Sequence, residues 1–157
     1  MDTFAPDELD QVLALISSAD LSTTAGAAAL KADLDEHFPN GGDFAEPIRA
    51  RALAGTLTDK GSGTLLFGRH FGADDSPYAI SCDAVVMSGR GPDSAHHVHT
   101  KGEVCVTVAL EGEPTFDGHP LGWVVYPEGH EHTPDVQGGR MAMLYFWPGG
   151  RAKFTKR

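Results

Sequence analysis

Gly91-Pro92-Asp93-Ser94-Ala95-His96-His97-Val98-His99-Thr100-Lys101-Gly102-Glu103 is the stretch on which the reading of this chain turns. His97 and His99 stand two residues apart, and on an extended segment side chains so spaced project to one face. Both imidazoles can then reach one ion. Glu103 opens the apolar run Val104-Cys105-Val106-Thr107-Val108-Ala109-Leu110, which alternates poorly and reads as a strand buried on both faces. A turn at Thr100-Lys101-Gly102 returns the Glu103 carboxylate to the histidines, so three metal ligands share one short hairpin. A fourth is expected from Pro127-Glu128-Gly129-His130-Glu131-His132, where a Pro-x-Gly turn follows the apolar strand Trp123-Val124-Val125-Tyr126. His132 is the choice and His130 its competitor. A lone histidine among apolar residues is ordinarily structural, but four metal-competent groups at two places, each beside turn residues, argue for one divalent ion. Three histidines and a carboxylate suit Fe2+ first, and Mn2+, Ni2+ or Zn2+ fit the same ligands.

The rest of the chain sets the frame. With 157 residues it makes one domain, large enough to bury a core without disulfides. Asp and Glu number 22 against 12 Lys and Arg, a formal charge of -10, so no basic surface for nucleic acid or an anionic membrane is expected. The one basic cluster, Arg151 to Arg157, reads as a solvated terminus. Cys82 and Cys105 both fall in apolar strand-like runs and are expected as buried free thiols. No basic segment with an apolar core opens the sequence and no apolar run approaches membrane-spanning length, which points to a soluble cytoplasmic protein.

Vocabulary changes near Lys60. From Thr3 to about Thr58 apolar residues recur at helical spacing, as in Leu9, Val12, Leu13 and Ile16. A first helix starts near Pro6-Asp7-Glu8, a second spans Ala25 to His37 and ends at Pro39-Asn40-Gly41-Gly42, and Asp43 with Glu46 forms a capping box for a third through Ile48, Leu53 and Leu57. From Gly61 onward Gly, Pro, Val, Thr and aromatics dominate, with turns at Gly72-Ala73-Asp74-Asp75 and Asp117-Gly118, the pattern of a small β-barrel or jelly roll. The expected organisation is therefore mainly β: a helical segment over residues 1–59 that is not an independent domain, packed on a barrel over residues 60–157.

The two histidine blocks resemble the two motifs of the cupin superfamily, G-x5-H-x-H-x3-E followed by a glycine, a Pro-x-Gly turn and a final histidine. The first block matches at every defined position. In the second, Gly122 is one residue closer to Pro127 than the usual pattern and the closing asparagine is missing, which leaves the partner of His132 unidentified. Phe116-Asp117-Gly118-His119-Pro120 and Gly122-Trp123-Val124-Val125-Tyr126-Pro127, with Leu144-Tyr145-Phe146-Trp147-Pro148-Gly149-Gly150, resemble more narrowly the family of 4-hydroxylaminobenzoate lyases. That resemblance implies conversion of 4-hydroxylaminobenzoate to 3,4-dihydroxybenzoate (protocatechuate) with release of ammonia, in the breakdown of nitroaromatics.

Within that reading a metal ion on His97, His99, Glu103 and His132 serves as Lewis acid, and Glu103 or His130 moves the proton, with His96 and Glu131 as nearby candidates. A benzoate carboxylate calls for an arginine: Arg69, Arg90 and Arg140 in the barrel portion, or Arg51 if the third helix caps the mouth, with Arg140 ranked low because it follows a Gly-Gly turn. Trp123, Tyr126 and Tyr145 are candidates for stacking on a small aromatic substrate. Two other classes stay open: a non-haem iron dioxygenase on an aromatic or thiol substrate, and a ligand-sensing cupin without turnover. Open sheet edges and an amphipathic arm make a homodimer the expected assembly.

Overall fold

The computed structural model describes residues 1–155. Three α-helices come first: α1 (Asp10–Ser17), α2 (Thr24–His37) and α3 (Ala45–Ala54). Among the described residues nine strands follow: β1 (Lys60–Ser62), β2 (Leu65–Phe71), β3 (Ile80–Arg90), β4 (His97–Val98), β5 (Glu103–Phe116), β6 (Gly122–Tyr126), β7 (Glu131–His132), β8 (Asp135–Pro148) and β9 (Lys153–Phe154). They form a six-stranded sheet in the order β1-β2-β3-β8-β5-β6 and a three-stranded sheet in the order β7-β4-β9, antiparallel throughout. This is the mainly β fold with amino-terminal helices that the sequence led us to expect.

The poor alternation of β5 has a direct cause. Val104, Val106 and Val108 join Cys82, Ala84 and Val86 of β3 and Ala142, Leu144 and Phe146 of β8 in a core shared with Leu13, Leu34 and Ile48 of the helices. The residues between them, including Cys105, Met87, Met141 and Met143, pack on the other face with Phe116, Val124 and Val136. Period-two alternation is present, but both faces bury apolar side chains, so the sequence shows an unbroken run. Each fully buried Leu or Ile on the helix side contributes about 1.5–3 kcal/mol.

Local chemistry fixes the helices. Thr23 caps α2 by accepting a hydrogen bond from the Gly26 N–H at 3.0 Å, a bond worth about 1 kcal/mol. The capping box expected at Asp43 is absent: α3 starts after Phe44 with no side-chain cap, and Glu46 pairs with Arg49 on the exposed surface instead. Phe44 is needed elsewhere, packed with Phe38 against Trp123, whose Nε1 donates to the Phe38 carbonyl at 2.9 Å. Leu53, expected on the apolar face of α3, is exposed, while Leu57 is buried just beyond the helix end.

The long strands bend. Register shifts between Ala109 and Glu111 and between Gly112 and Thr115 on β5, and between Met87 and Gly89 on β3, mark bulges. Beyond them Phe116 and Val136 pack with Met87, Met141 and Met143 on the cavity side of the sheet. The small sheet closes over that side, with His97 ring to ring with Trp147 at 5.8 Å. Cys82 and Cys105 are buried and free. Among the described residues no helix is long and apolar enough to cross a membrane.

Candidate metal centre and adjoining cavity

Two turns bring the histidine blocks together by meeting at one carbonyl. The His99 oxygen accepts from the Gly102 N–H at 3.3 Å and from the Gly129 N–H at 2.8 Å, and the His99 N–H donates to the His130 carbonyl at 2.8 Å. Gly102 has φ +89°, and a Cβ there would stand 2.9 Å from the Tyr126 oxygen, so the turn before Glu103 requires glycine. β4 pairs with β7 so that His97 lies opposite His132. One potential ligand atom from each of His97, His99, Glu103 and His132 lies within 4.8 Å of the others.

These atoms are arranged as if around a cation. His97 Nδ1 donates to the Ala95 carbonyl at 2.8 Å and His132 Nδ1 donates to Asp117 Oδ2 at 2.5 Å. In the neutral rings both protons are thereby committed, and the two Nε2 atoms face each other at 3.2 Å with lone pairs opposed. Only a proton or a metal ion between them relieves that contact. Glu103 Oε1 accepts from Trp147 Nε1 at 2.9 Å, while Oε2 is buried with no hydrogen-bond partner, 3.2 Å from a His99 Nε2 in the same condition. Burial holds His97 down to about 4 and His99 to about 2, so both are neutral lone-pair donors, and burial pushes Glu103 up to about 7. A buried carboxyl beside three imidazoles fits a divalent ion, and the set of nitrogen and oxygen donors suits several first-row metals.

Asp117 was read in the sequence only as a turn residue. Its Oδ2 accepts from His132 Nδ1 and, at 2.6 Å, from the Tyr126 hydroxyl, and its Oδ1 accepts from the Asp135 N–H at 3.0 Å. Burial raises its pKa, but these hydrogen bonds outweigh burial and the carboxyl is held below the usual range. This is the partner of His132 that the missing asparagine left unidentified. Trp147 on Glu103 was missed as well, being 44 positions away along the chain.

A cavity of about 280 Å³ opens on His97, Glu103 and His132. Its wall is otherwise mostly apolar, with Met87, Met143, Cys105, Phe116, Tyr145 and Trp147 inside and Phe67 and Phe154 on it as exposed large aromatics. Phe154 corrects one expectation: the basic tail is not simply a solvated terminus, since β9 pairs with β4 and sets Phe154 opposite His97, ring centroids 5.3 Å apart. An aromatic side chain in that tail was the overlooked signal. Lys156 and Arg157 lie outside the described residues.

The remaining candidates separate. Tyr145 lines the cavity. Tyr126 stands behind the metal cluster, stacked 3.8 Å from His130 and 5.4 Å from His99. His130 is thus outside the group of four and off the cavity wall, as are His96, tied to Thr133 Oγ1 at 2.9 Å, and Glu131. Trp123 faces the helices on the opposite side of the sheet. Arg140 falls beside Leu66, Val86 and Ala52 on that same side, away from the cavity. Arg51 is held over the Phe4 ring at 3.8 Å and Arg90 lies exposed beside Asp93. Arg69 shares the cavity-side row of the sheet with Asp83 and Tyr145, and its guanidinium grips Asp83 through two hydrogen bonds of 2.9 and 3.0 Å. Among the described residues no lysine or arginine lines the cavity itself.

Two antiparallel sheets enclosing a histidine-rich cluster make a cupin-type jelly-roll fold, and one known structure at a TM-score of 0.50 shares it. A chain from the crystal structures of the DMSP lyases RdDddP and RnDddQII superposes with a TM-score of 0.50 at 16% identity, covering 80% of this chain and 77% of that one. An E162A mutant of Bacillus subtilis oxalate decarboxylase gives 0.44 at 14% identity over 64% of this chain and 31% of that one, so the chain spans about a third of such decarboxylases. An RmlC-like cupin from Ralstonia eutropha JMP134 gives 0.41 at 17%, over 56% and 58%. No curated protein matches the sequence. Within the class the assignment is narrower: residues 10–154 match the model of the PnbB 4-hydroxylaminobenzoate lyase family, and the chain belongs to that family.

Proposed function

We propose that this protein is a metal-dependent lyase that converts 4-hydroxylaminobenzoate and water to 3,4-dihydroxybenzoate and ammonia. Family membership supports the reaction class. The observation that carries the reading is the convergence of His97, His99, Glu103 and His132, three of which (His97, Glu103 and His132) open on an apolar cavity of about 280 Å³, a size at the lower end for ligand pockets and suited to one ring.

The reaction balances without an oxidant: the N–O bond breaks, a ring C–H gives way to C–OH, and water replaces nitrogen at the neighbouring carbon. His97, His99, Glu103 and His132 would hold the divalent ion, with Fe2+ the first choice and Mn2+, Ni2+ or Zn2+ alternatives. Such an ion supplies Lewis acidity toward a hydroxylamine or water oxygen. The protein residues do the remainder. Tyr145, Met143 and Phe116 bracket the ring and exclude water from it. We assign proton transfer to Glu103, on the cavity wall with Oε1 held by Trp147, and His130, behind His99, is the weaker choice.

Arg69 is the residue we assign to the substrate carboxylate. Its side chain is about half exposed and Asp83 occupies only one edge of the guanidinium, leaving N–H donors for a second carboxylate. Arg69→Met should raise KM for 4-hydroxylaminobenzoate about tenfold or more while leaving phenylhydroxylamine, which lacks the carboxylate, unaffected.

The deciding experiment is chromatographic product analysis after anaerobic incubation of metal-loaded protein with 4-hydroxylaminobenzoate. Protocatechuate and ammonia formed without oxygen support the lyase. A folded, metal-loaded protein that makes no product, or makes one only with oxygen, removes this reading.

A further inference from the structure

Asp117 is placed by its hairpin rather than by the histidine it touches. Phe116 and His119 exchange backbone hydrogen bonds of 3.0 and 2.8 Å across a two-residue turn, in which Asp117 and Gly118 have φ of 50° and 82°. The Asp117 N–H donates to the Asp135 carbonyl at 2.8 Å, and the Asp135 N–H donates back to Asp117 Oδ1. Four hydrogen bonds from backbone N–H groups thus aim Oδ2 at the interior, where it receives both His132 Nδ1–H and the Tyr126 hydroxyl.

We propose that Asp117 is the positioning residue of the site: its carboxylate fixes His132 as the Nδ1–H tautomer, with the Nε2 lone pair turned toward His97 and Glu103, and holds Tyr126 behind His99. This rests on the metal reading of the cluster. A carboxylate can only accept, so the imidazole beside it keeps its proton on Nδ1. The same oxygen holds Tyr126, whose ring stacks on both His99 and His130, so one turn residue sets two walls of the ligand cluster.

Asp117→Asn isolates the carboxylate, because asparagine tolerates the left-handed turn. The Asp135 N–H cannot rotate, so the amide oxygen stays with it and the NH2 group faces His132. The imidazole must then accept at Nδ1 and carry its proton on Nε2, where it no longer serves as a ligand.

The test is long-range 1H–15N correlation of the histidine rings in metal-free protein, combined with Mn2+ titration. Wild type should show His132 protonated on Nδ1. Asp117→Asn should move that proton to Nε2 and weaken Mn2+ binding on the order of 10–100-fold, with far-ultraviolet circular dichroism unchanged. Tyr126→Phe, which removes only the second donor, should leave the tautomer as in wild type. Wild-type His132 protonated on Nε2 and not on Nδ1 overturns the proposal without any variant, and so does a folded Asp117→Asn protein with unaltered tautomer and affinity. A wild type that binds no divalent metal while Asp117→Asn still switches the tautomer removes the metal reading and supports the positioning role.

Discussion

Alternate residues of one strand serve two different ends in β5. Val104, Val106 and Val108 lock the sheet to the helices in a core with no polar partner to satisfy. Glu103 and Cys105, interleaved with them, look into the cavity, where Glu103 keeps an oxygen without a hydrogen bond. The contrast teaches that the buried polar cost of the site is carried by the apolar face one residue away.

If the two faces are separable in this way, substitutions should divide cleanly. The largest effect is expected for His97→Ala with His99→Ala: loss of divalent metal binding by calorimetry and a fall in kcat/KM of about 10³-fold or more. The melting temperature of the metal-free form should hold or rise, since a buried unsatisfied imidazole is removed. Next comes Leu144→Ala on the helix side, where the side chain is fully buried. Urea unfolding should show a loss of about 2–5 kcal/mol, with metal affinity per folded molecule unchanged. A large drop in affinity for this variant would break the separation.

The smallest effect sharpens the comparison on the helix side alone. His70 accepts from the Phe4 N–H at 2.8 Å and donates to the Leu57 carbonyl at 2.9 Å, which ties the amino-terminal arm to β2. Burial lowers its pKa below the ordinary 6.5, so the folded state disfavours the protonated ring. The contribution is therefore complete above about 6.5 and is lost as pH falls below it. His70→Gln keeps one donor and one acceptor without a titration, and its melting temperature should fall less than that of wild type between pH 7 and pH 5. Equal slopes for the two proteins would remove His70 from the acid response.

What the sequence revealed followed from distance along the chain. His97, His99 and Glu103 were legible because strand period and a three-residue turn suffice to converge them, and His132 because a Pro-x-Gly turn precedes it. The helix-then-barrel order was legible from the change of vocabulary near Lys60. Asp117 was not, since its contact with His132 exists only once the β5 hairpin has folded back across fifteen positions. Trp123 and Arg140, named as substrate candidates, lie on the helix side, because strand parity says which residues share a face, not which face the helices cover. Arg140 also lies next to a bulge, where register shifts and parity counted from elsewhere fails. Phe154 was lost in a basic tail whose charge concealed an edge strand.

β4 has only two residues, and its neighbours in the small sheet, β7 and β9, have two each. Beside the fourteen-residue β5 and β8, which zip to each other along most of their length, pairings this short should open at a lower local free energy than the large sheet. In hydrogen-exchange terms the amides of His97 and His132 should exchange faster than those of β5 and β8. A cation gripped by both would act there as a staple, slowing exchange in β4 and β7 far more than in the large sheet, so that occupancy of the site can be read from amide protection alone.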